Sequence, residues 1–226
     1  MANVMTDTHE IITKPQEIIF QRKAERVIEN LRKRNISAIY CRTCKEAVSE
    51  IRRLIPEGAM VALGGSVSII QSGLLDVLRS MNITLLDRYR TGIRNEEVEE
   101  ILRQGVRADV LLMSSNAVTA DGKLVNEDGR GNRVAGLIFG PRKVILMVGI
   151  NKIVSTVEDG IARIKSVAAP LNCIRLGADT PCAHTGFCDD ANCSAPARVC
   201  GQIVITESSR AKDRISVVLV GEQLGY

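Results

Sequence analysis

Apolar residues along this chain follow two rhythms that take turns. Ala59–Leu63, Val110–Met113 and Val144–Val148 are unbroken apolar runs, the pattern of strands buried on both faces of a parallel sheet. Between such runs, apolar residues recur at steps of three and four, the period of a helix with one inward stripe. Phe20, Ala24, Val27 and Leu31 form that stripe in a helix predicted over residues 15–34. Thr43-x-x-Glu46 reads as a capping box opening a second helix, with Ala47, Val48, Ile51 and Leu54 inside and Pro56-Glu57-Gly58 as its end. A third carries Ile69, Ile70, Leu74 and Leu78. A fourth, capped by Asn95 and closed by Gly105, carries Val98, Ile101 and Leu102. Thr156 caps a fifth, with Val157, Ile161, Ile164 and Ala168 on one face, and Pro170 stops it. Further strands are predicted at Ser37–Tyr40, Ile83–Leu86, Ile203–Thr206 and Ile215–Val220.

Strands alternating with helices of this length require crossover connections. The predicted fold is therefore α/β, three layers with a mainly parallel sheet covered by helices on both faces. No linker divides the 226 residues, which read as one domain. One stretch breaks the rhythm. After Val110–Met113 come Ser114-Ser115-Asn116, and Asp121-Gly122 supplies the positive φ that folds Ala117–Thr119 back on Lys123–Val125. Asn126–Asn132 comes next, with two glycines and no apolar side chain. So many polar groups between buried strands mark a site rather than a core.

Composition narrows the partners. Aromatic residues are 3% of the chain and Trp is absent, which argues against stacking on bases or sugars. The net charge of +4 is mild, and the one basic concentration, Arg22–Arg34, reads as a solvated helix face. No nucleic-acid partner is expected. No stretch approaches about 18 consecutive apolar residues, so no membrane-spanning helix is expected. The N-terminal MANVMTDTHEIITKPQE lacks a basic-then-apolar leader, and the expected location is the cytoplasm. There the seven cysteines stay reduced rather than forming a disulfide framework.

Ligands of open α/β sheets settle at the carboxyl ends of strands. Gly64-Gly65-Ser66, with Ser68 beyond, lies after such a strand. The glycines let a ligand approach the main chain, the helix start adds partial positive charge, and the serines add hydroxyls; close packing is the competing account of the glycines. Neither the spaced-glycine dinucleotide pattern nor a phosphate loop occurs. Asn116, Asn126 and Asn132 are the amides that fold logic brings toward Gly64–Ser66. Asp121, Asp128 and Gly129 read as turn formers and Asn132 as a helix cap, with Asn116 and Asn126 open to either role. Arg133 and Lys152 offer cations to an anionic ligand, against a default of surface charge. Cys182-x5-Cys188-x4-Cys193-x6-Cys200, with His184 inside and Cys173 upstream, has three accounts: a zinc or iron–sulfur site, buried thiols, or a redox pair. Cys41-x2-Cys44 has redox spacing.

GGS after a strand, SSNAVTADGKLVNEDGRGNRVAG, GPRKVILMVGINKIV, AAPLNCIRL, TPCAHTGFC and ISVVLVGEQLGY together resemble the LUD-domain family of LutC-type lactate utilisation proteins, from about Ile11 onward. The resemblance implies the three-layer fold of the isomerase and coenzyme-A-transferase class (NagB/RpiA/CoA transferase-like). It also implies a role in oxidising lactate to pyruvate beside iron–sulfur partner subunits. The loops are similar, more distantly, to methylthioribose-phosphate isomerase. That likeness puts Asn116 where an acidic residue transfers protons, and matches Asn126 and Gly129 to ligand-side residues. Asn cannot act as a general base, and no Glu stands in Ser114–Thr119 for a transferase nucleophile. The ligand expected is a small anion (carboxylate, phosphate or coenzyme-A-linked) at Gly64, Gly65, Ser66, Ser68, Asn116, Asn126, Gly129, Asn132 and Lys152. A sugar-phosphate or acyl-coenzyme-A enzyme or sensor, a non-catalytic assembly subunit, the cofactor and self-association all stay open.

Overall fold

The computed structural model describes residues 8–226, with side chains from Lys14 onward. Met1–Asp7, part of the stretch read for a leader, lies outside the described residues. In chain order the elements are α1 (Thr8–Lys33), β1 (Ser37–Cys41), α2 (Cys44–Leu54), β2 (Met60–Leu63), α3 (Val67–Gln71), α4 (Leu74–Arg79), β3 (Thr84–Leu86), α5 (Asn95–Gly105) and β4 (Val110–Met113). Beyond these come β5 (Ala117–Thr119), β6 (Leu124–Asp128), α6 (Asn132–Phe139), β7 (Lys143–Gly149), β8 (Ile153–Val154), α7 (Val157–Arg163), α8 (Ala169–Leu176), α9 (Pro181–Thr185), β9 (Gln202–Thr206) and β10 (Ile215–Val220).

Six strands form the main sheet in the order β1-β10-β7-β4-β2-β3, every neighbouring pair parallel. Alternate residues of its apolar runs feed two cores. Val144, Leu146 and Val148 of β7 join Ala24, Val27 and Leu31 of α1 and Leu137 of α6 on one face. Ile145 and Met147 join Ala47 and Ile51 of α2 and Leu74 and Leu78 of α4 on the other. The three-layer α/β arrangement is thus the one the sequence predicts.

A second sheet, order β8-β5-β6-β9, is mixed: β5 pairs with β8 in parallel, while β6 is antiparallel to both β5 and β9. Ala117 faces Val125 and Val118 faces Leu124, the predicted hairpin. Its turn is fastened to α1 by Asn30, whose Nδ2 donates to Ala120 O (2.9 Å), and by Arg34, whose Nε donates to Asp121 O (2.6 Å). Arg34, the end of the basic run and the first residue past α1, is therefore docking chemistry rather than part of a solvated face.

Several boundaries differ from the sequence pattern, each for a local reason. The helix after β2 is two pieces, α3 and α4, broken at Gly73 (φ 76°). Thr43 Oγ1 caps α2 through Glu46 N (3.2 Å), but Glu46 returns its bond to Arg42 N, one residue earlier than a closed box requires. Asn95 is the first residue of α5, not its cap; Arg94 stands there without a side-chain cap bond. Likewise Gly131, not Asn132, caps α6. Thr156 does close a capping box with Asp159. Pro170 does not stop the helix it begins: a π-helical segment, Ile164–Ala168, joins α7 to α8. The wider turn separates the proline ring from the carbonyl it would strike in a regular helix.

Gly122 carries the turn at φ 85°, and a Cβ there would stand 2.7 Å from Asn30 C and Leu31 N. Both the left-handed backbone and the backbone of α1 exclude a side chain. Gly122→Ala is expected to cost about 2 kcal/mol or more in urea denaturation; an unchanged midpoint would show that hairpin and helix are not coupled this way.

Candidate functional site

Three neighbouring strands of the main sheet end at the same rim. Past β2 stand Gly64–Ser68, past β4 stand Ser114–Asn116, and past β7 a single 3₁₀ turn delivers Lys152. A cavity of about 580 Å³ opens there. Its far walls come from the second sheet (Glu127, Asp128), from the π segment and α8 (Ile164, Asn172, Arg175), and from Pro196–Cys200. The two polar loops that lie far apart in sequence therefore face one space.

One buried guanidinium organises the second-sheet side. Arg133 Nη1 donates to Asn126 Oδ1 (2.7 Å) and Ser114 O (3.1 Å), and Nη2 donates to Asn116 Oδ1 (2.9 Å) and Glu127 O. Its Nε lies 3.3 Å from Asp128 Oδ2. Burial pulls the Arg133 ionisation below the usual arginine range, with Asp128 pulling back. Asn116 Oδ1 also accepts from Glu127 N (3.0 Å). The two amides expected on the ligand side thus serve Arg133 through their oxygens. Asn126 is wholly buried and is not among the residues lining the cavity.

A Cβ on Gly64 would meet Met113 Cβ at 2.8 Å, and one on Gly129 would meet Val199 O at 2.4 Å. Close packing thus requires a glycine at both positions, and Gly64, Gly65 and Gly129 also line the cavity. Ser66 lines the cavity and makes no side-chain cap bond. The predicted helix-start charge behind it is lost, because α3 is only five residues long. Asn132 lines the cavity from the first position of α6.

Lys152 is the opposite of a surface charge. It is 3% exposed, and its Nζ lies 3.0 Å from Ser68 Oγ and 3.1 Å from Ser114 Oγ. Among the described residues no carboxylate pairs with it. Burial, then the charges of Arg163 and Arg133, bring its ammonium down to about 7. Arg88 and Arg175 also line the cavity without an ion pair among the described residues; Arg175 holds only Asn172 Oδ1 (2.7 Å). Glu127 Oε2 and Tyr226 OH are buried there without a hydrogen-bond partner. Burial raises the Glu127 carboxyl, against Lys165 and Arg198. Arg88, Arg175, Glu127 and Tyr226 escape the sequence reading, since nothing in local pattern separates them from surface residues. For Arg133 and Lys152 the signal was a charge beside an apolar run.

The cysteines lie next door. Cys173, Cys182, Cys188, Cys193 and Cys200 all line a second, small cavity, which shares Ala169, Arg198, Val199 and Cys200 with the first. Among the described residues no three His, Cys, Asp or Glu side chains are set to hold one metal ion. Burial raises Cys173 and Cys188 and pushes Cys200 up to about 12. Cys41 and Cys44 are pushed up to about 11 and about 12, the latter helped by Glu222. No described helix is long and apolar enough to cross a membrane.

The sequence model of the LUD domain matches residues 24–220. No curated protein matches the chain. Among solved structures, the crystal structure of a DUF162 family protein from Deinococcus radiodurans is similar at 15% identity, covering 90% of this chain and 98% of that one with a TM-score of 0.49.

The folded ammonium of Lys152 titrates near 7 and the unfolded one near 10.5. Between those values the unfolded chain holds the extra proton, so stability rises with pH across that window. Compared with Lys152→Met, the native chain is expected to gain stability from pH 6 to pH 10 in urea denaturation. A difference independent of pH would mean the buried ammonium is not disfavoured.

Proposed function

The chain belongs to the LUD-domain family, which is associated with lactate utilisation, and from that premise we propose that its rim cavity binds a small organic carboxylate in support of lactate oxidation to pyruvate. Iron–sulfur subunits are the partners this reading requires. The observation that carries it is charge: Arg88 and Arg175 line one cavity, and neither makes an ion pair among the described residues. An anion supplies that partner, and guanidinium groups match carboxylates in two-pronged fashion. Ser66 and the Tyr226 hydroxyl add donors, while Asn116, Asn126 and Arg133 keep the wall in place.

Stabilisation by ligand tests it. Lactate or pyruvate is expected to raise the melting temperature saturably, and Arg88→Gln or Arg175→Gln to weaken binding roughly tenfold or more. No response to either acid would remove the reading. The volume favours a second one, because about 580 Å³ suits a far larger molecule than lactate. Stabilisation by a sugar phosphate or acyl-coenzyme A, with none by lactate or pyruvate, would transfer the assignment to that class.

The cysteine cavity is the place proposed for a metal centre held by Cys182, Cys188, Cys193 and Cys200. Convergence of five thiols beside the anion cavity supports it. Four thiolates are a ligand set for an iron–sulfur cluster, with zinc as the alternative, although no trio of described side chains is set for a single ion. Iron analysis of protein prepared without oxygen is expected to show a cluster's worth of iron. Metal-free protein that still binds lactate would leave the cysteines as buried packing.

A further inference from the structure

The hydrogen-bond partners of Lys152 suit a neutral amine. Its Nζ donates to Ser68 Oγ (3.0 Å) and Ser114 Oγ (3.1 Å). Each serine hydroxyl can direct its own proton to a backbone carbonyl, Ser68 to Leu224 O (3.3 Å) and Ser114 to Ser115 O (3.3 Å). Both serines are then acceptors toward the lysine. A neutral amine has two hydrogens, and both are used. Its lone pair is left over, at the edge of the cavity that Ser68, Ser114 and Lys152 line together. An ammonium would instead point a third N–H into that cavity, and burial together with the nearby guanidinium groups of Arg163 and Arg133 disfavours its charge. Lysines desolvated beside other cations are the nucleophilic ones.

We propose that Lys152 captures the carbonyl carbon of a 2-oxo acid held in this cavity, forming an imine. The inference deepens the carboxylate reading above and rests on it, since Arg88 and Arg175 are what would retain the acid. The Nζ lone pair forms a bond to the carbonyl carbon, and the carbonyl oxygen takes up a proton to give a carbinolamine. Loss of that oxygen as water closes the carbon–nitrogen double bond, and the two amine hydrogens leave in the water. No oxidant or reductant takes part. A 2-hydroxy acid has the same carboxylate but no carbonyl, so it fills the cavity without reacting. The site would therefore distinguish the oxidised from the reduced member of such a pair by a covalent bond rather than by shape.

Reductive trapping tests this on the full chain. Pyruvate with sodium borohydride is expected to leave one reduced adduct per chain, mapped to Lys152 by peptide mass. Excess lactate should suppress it, and lactate alone should give none. Lys152→Arg should abolish labelling. Should that variant fail to fold, the position of the adduct in the native chain decides by itself. Labelling spread over exposed lysines, or none at Lys152 while pyruvate still raises the melting temperature, would overturn imine formation and leave carboxylate binding standing. Labelling by a ketose phosphate but not by pyruvate would overturn the 2-oxo acid assignment. Absence of both labelling and thermal response with either ligand would bring down the cavity reading itself.

Discussion

Parallel pairing of β10, β7, β4 and β2 is the constraint on which the rest of the molecule depends. Parallel neighbours end on the same side, about 4.8 Å apart, so the loop leaving each strand starts beside the loop leaving its neighbour. The ladder continues past the strands: Gly64 N donates to Leu112 O (2.8 Å), and Ile150 N donates to Glu222 O (3.2 Å). Those bonds fix where the loops leave the sheet. Ser68, Ser114 and Lys152 thereby meet, although none is near another in the chain. The apolar runs that make the strands are therefore also the residues that assemble the polar cluster.

Two buried cations share this rim and meet different fates. Arg133 is surrounded by acceptors and stands beside Asp128, so its charge is matched, and a guanidinium does not shed its proton in proteins. Lys152 has only hydroxyls and lies near two other cations. Its ammonium is the easier of the two to give up. Arg133 holds the second sheet against the rim, and Lys152 is left free of that structural duty.

The layers were legible in the sequence because strand and helix periods are local properties. Val144–Val148 and the stripe of α1 behave as read. The turn at Gly122 was equally legible, since an Asp-Gly pair is its own signal. Loop chemistry was harder. Asn116 and Asn126 stood out as polar residues at suggestive positions, yet their oxygens are taken up by Arg133, a tertiary partner that no spacing announces. The same holds for Gly129, whose missing side chain makes room for Val199 O. Lys152 was recognised as a cation, but its isolation from carboxylates depends on every element around it. Pro170 misled for a related reason: the rule that proline ends a helix presumes regular turns before it.

That irregular turn has a bearing on how the binding wall keeps its aim. A π-helical segment amounts to an extra residue accommodated within a helix, and here it precedes the stretch of α8 that presents Asn172 and Arg175 to the cavity. A one-residue insertion in a regular helix rotates everything beyond it by about 100°. The wide turn absorbs that rotation locally, so Asn172 and Arg175 keep facing the cavity. The aim of the ligand-facing residues on α8 is thus insulated from a one-residue change in the length of the helix that leads to them.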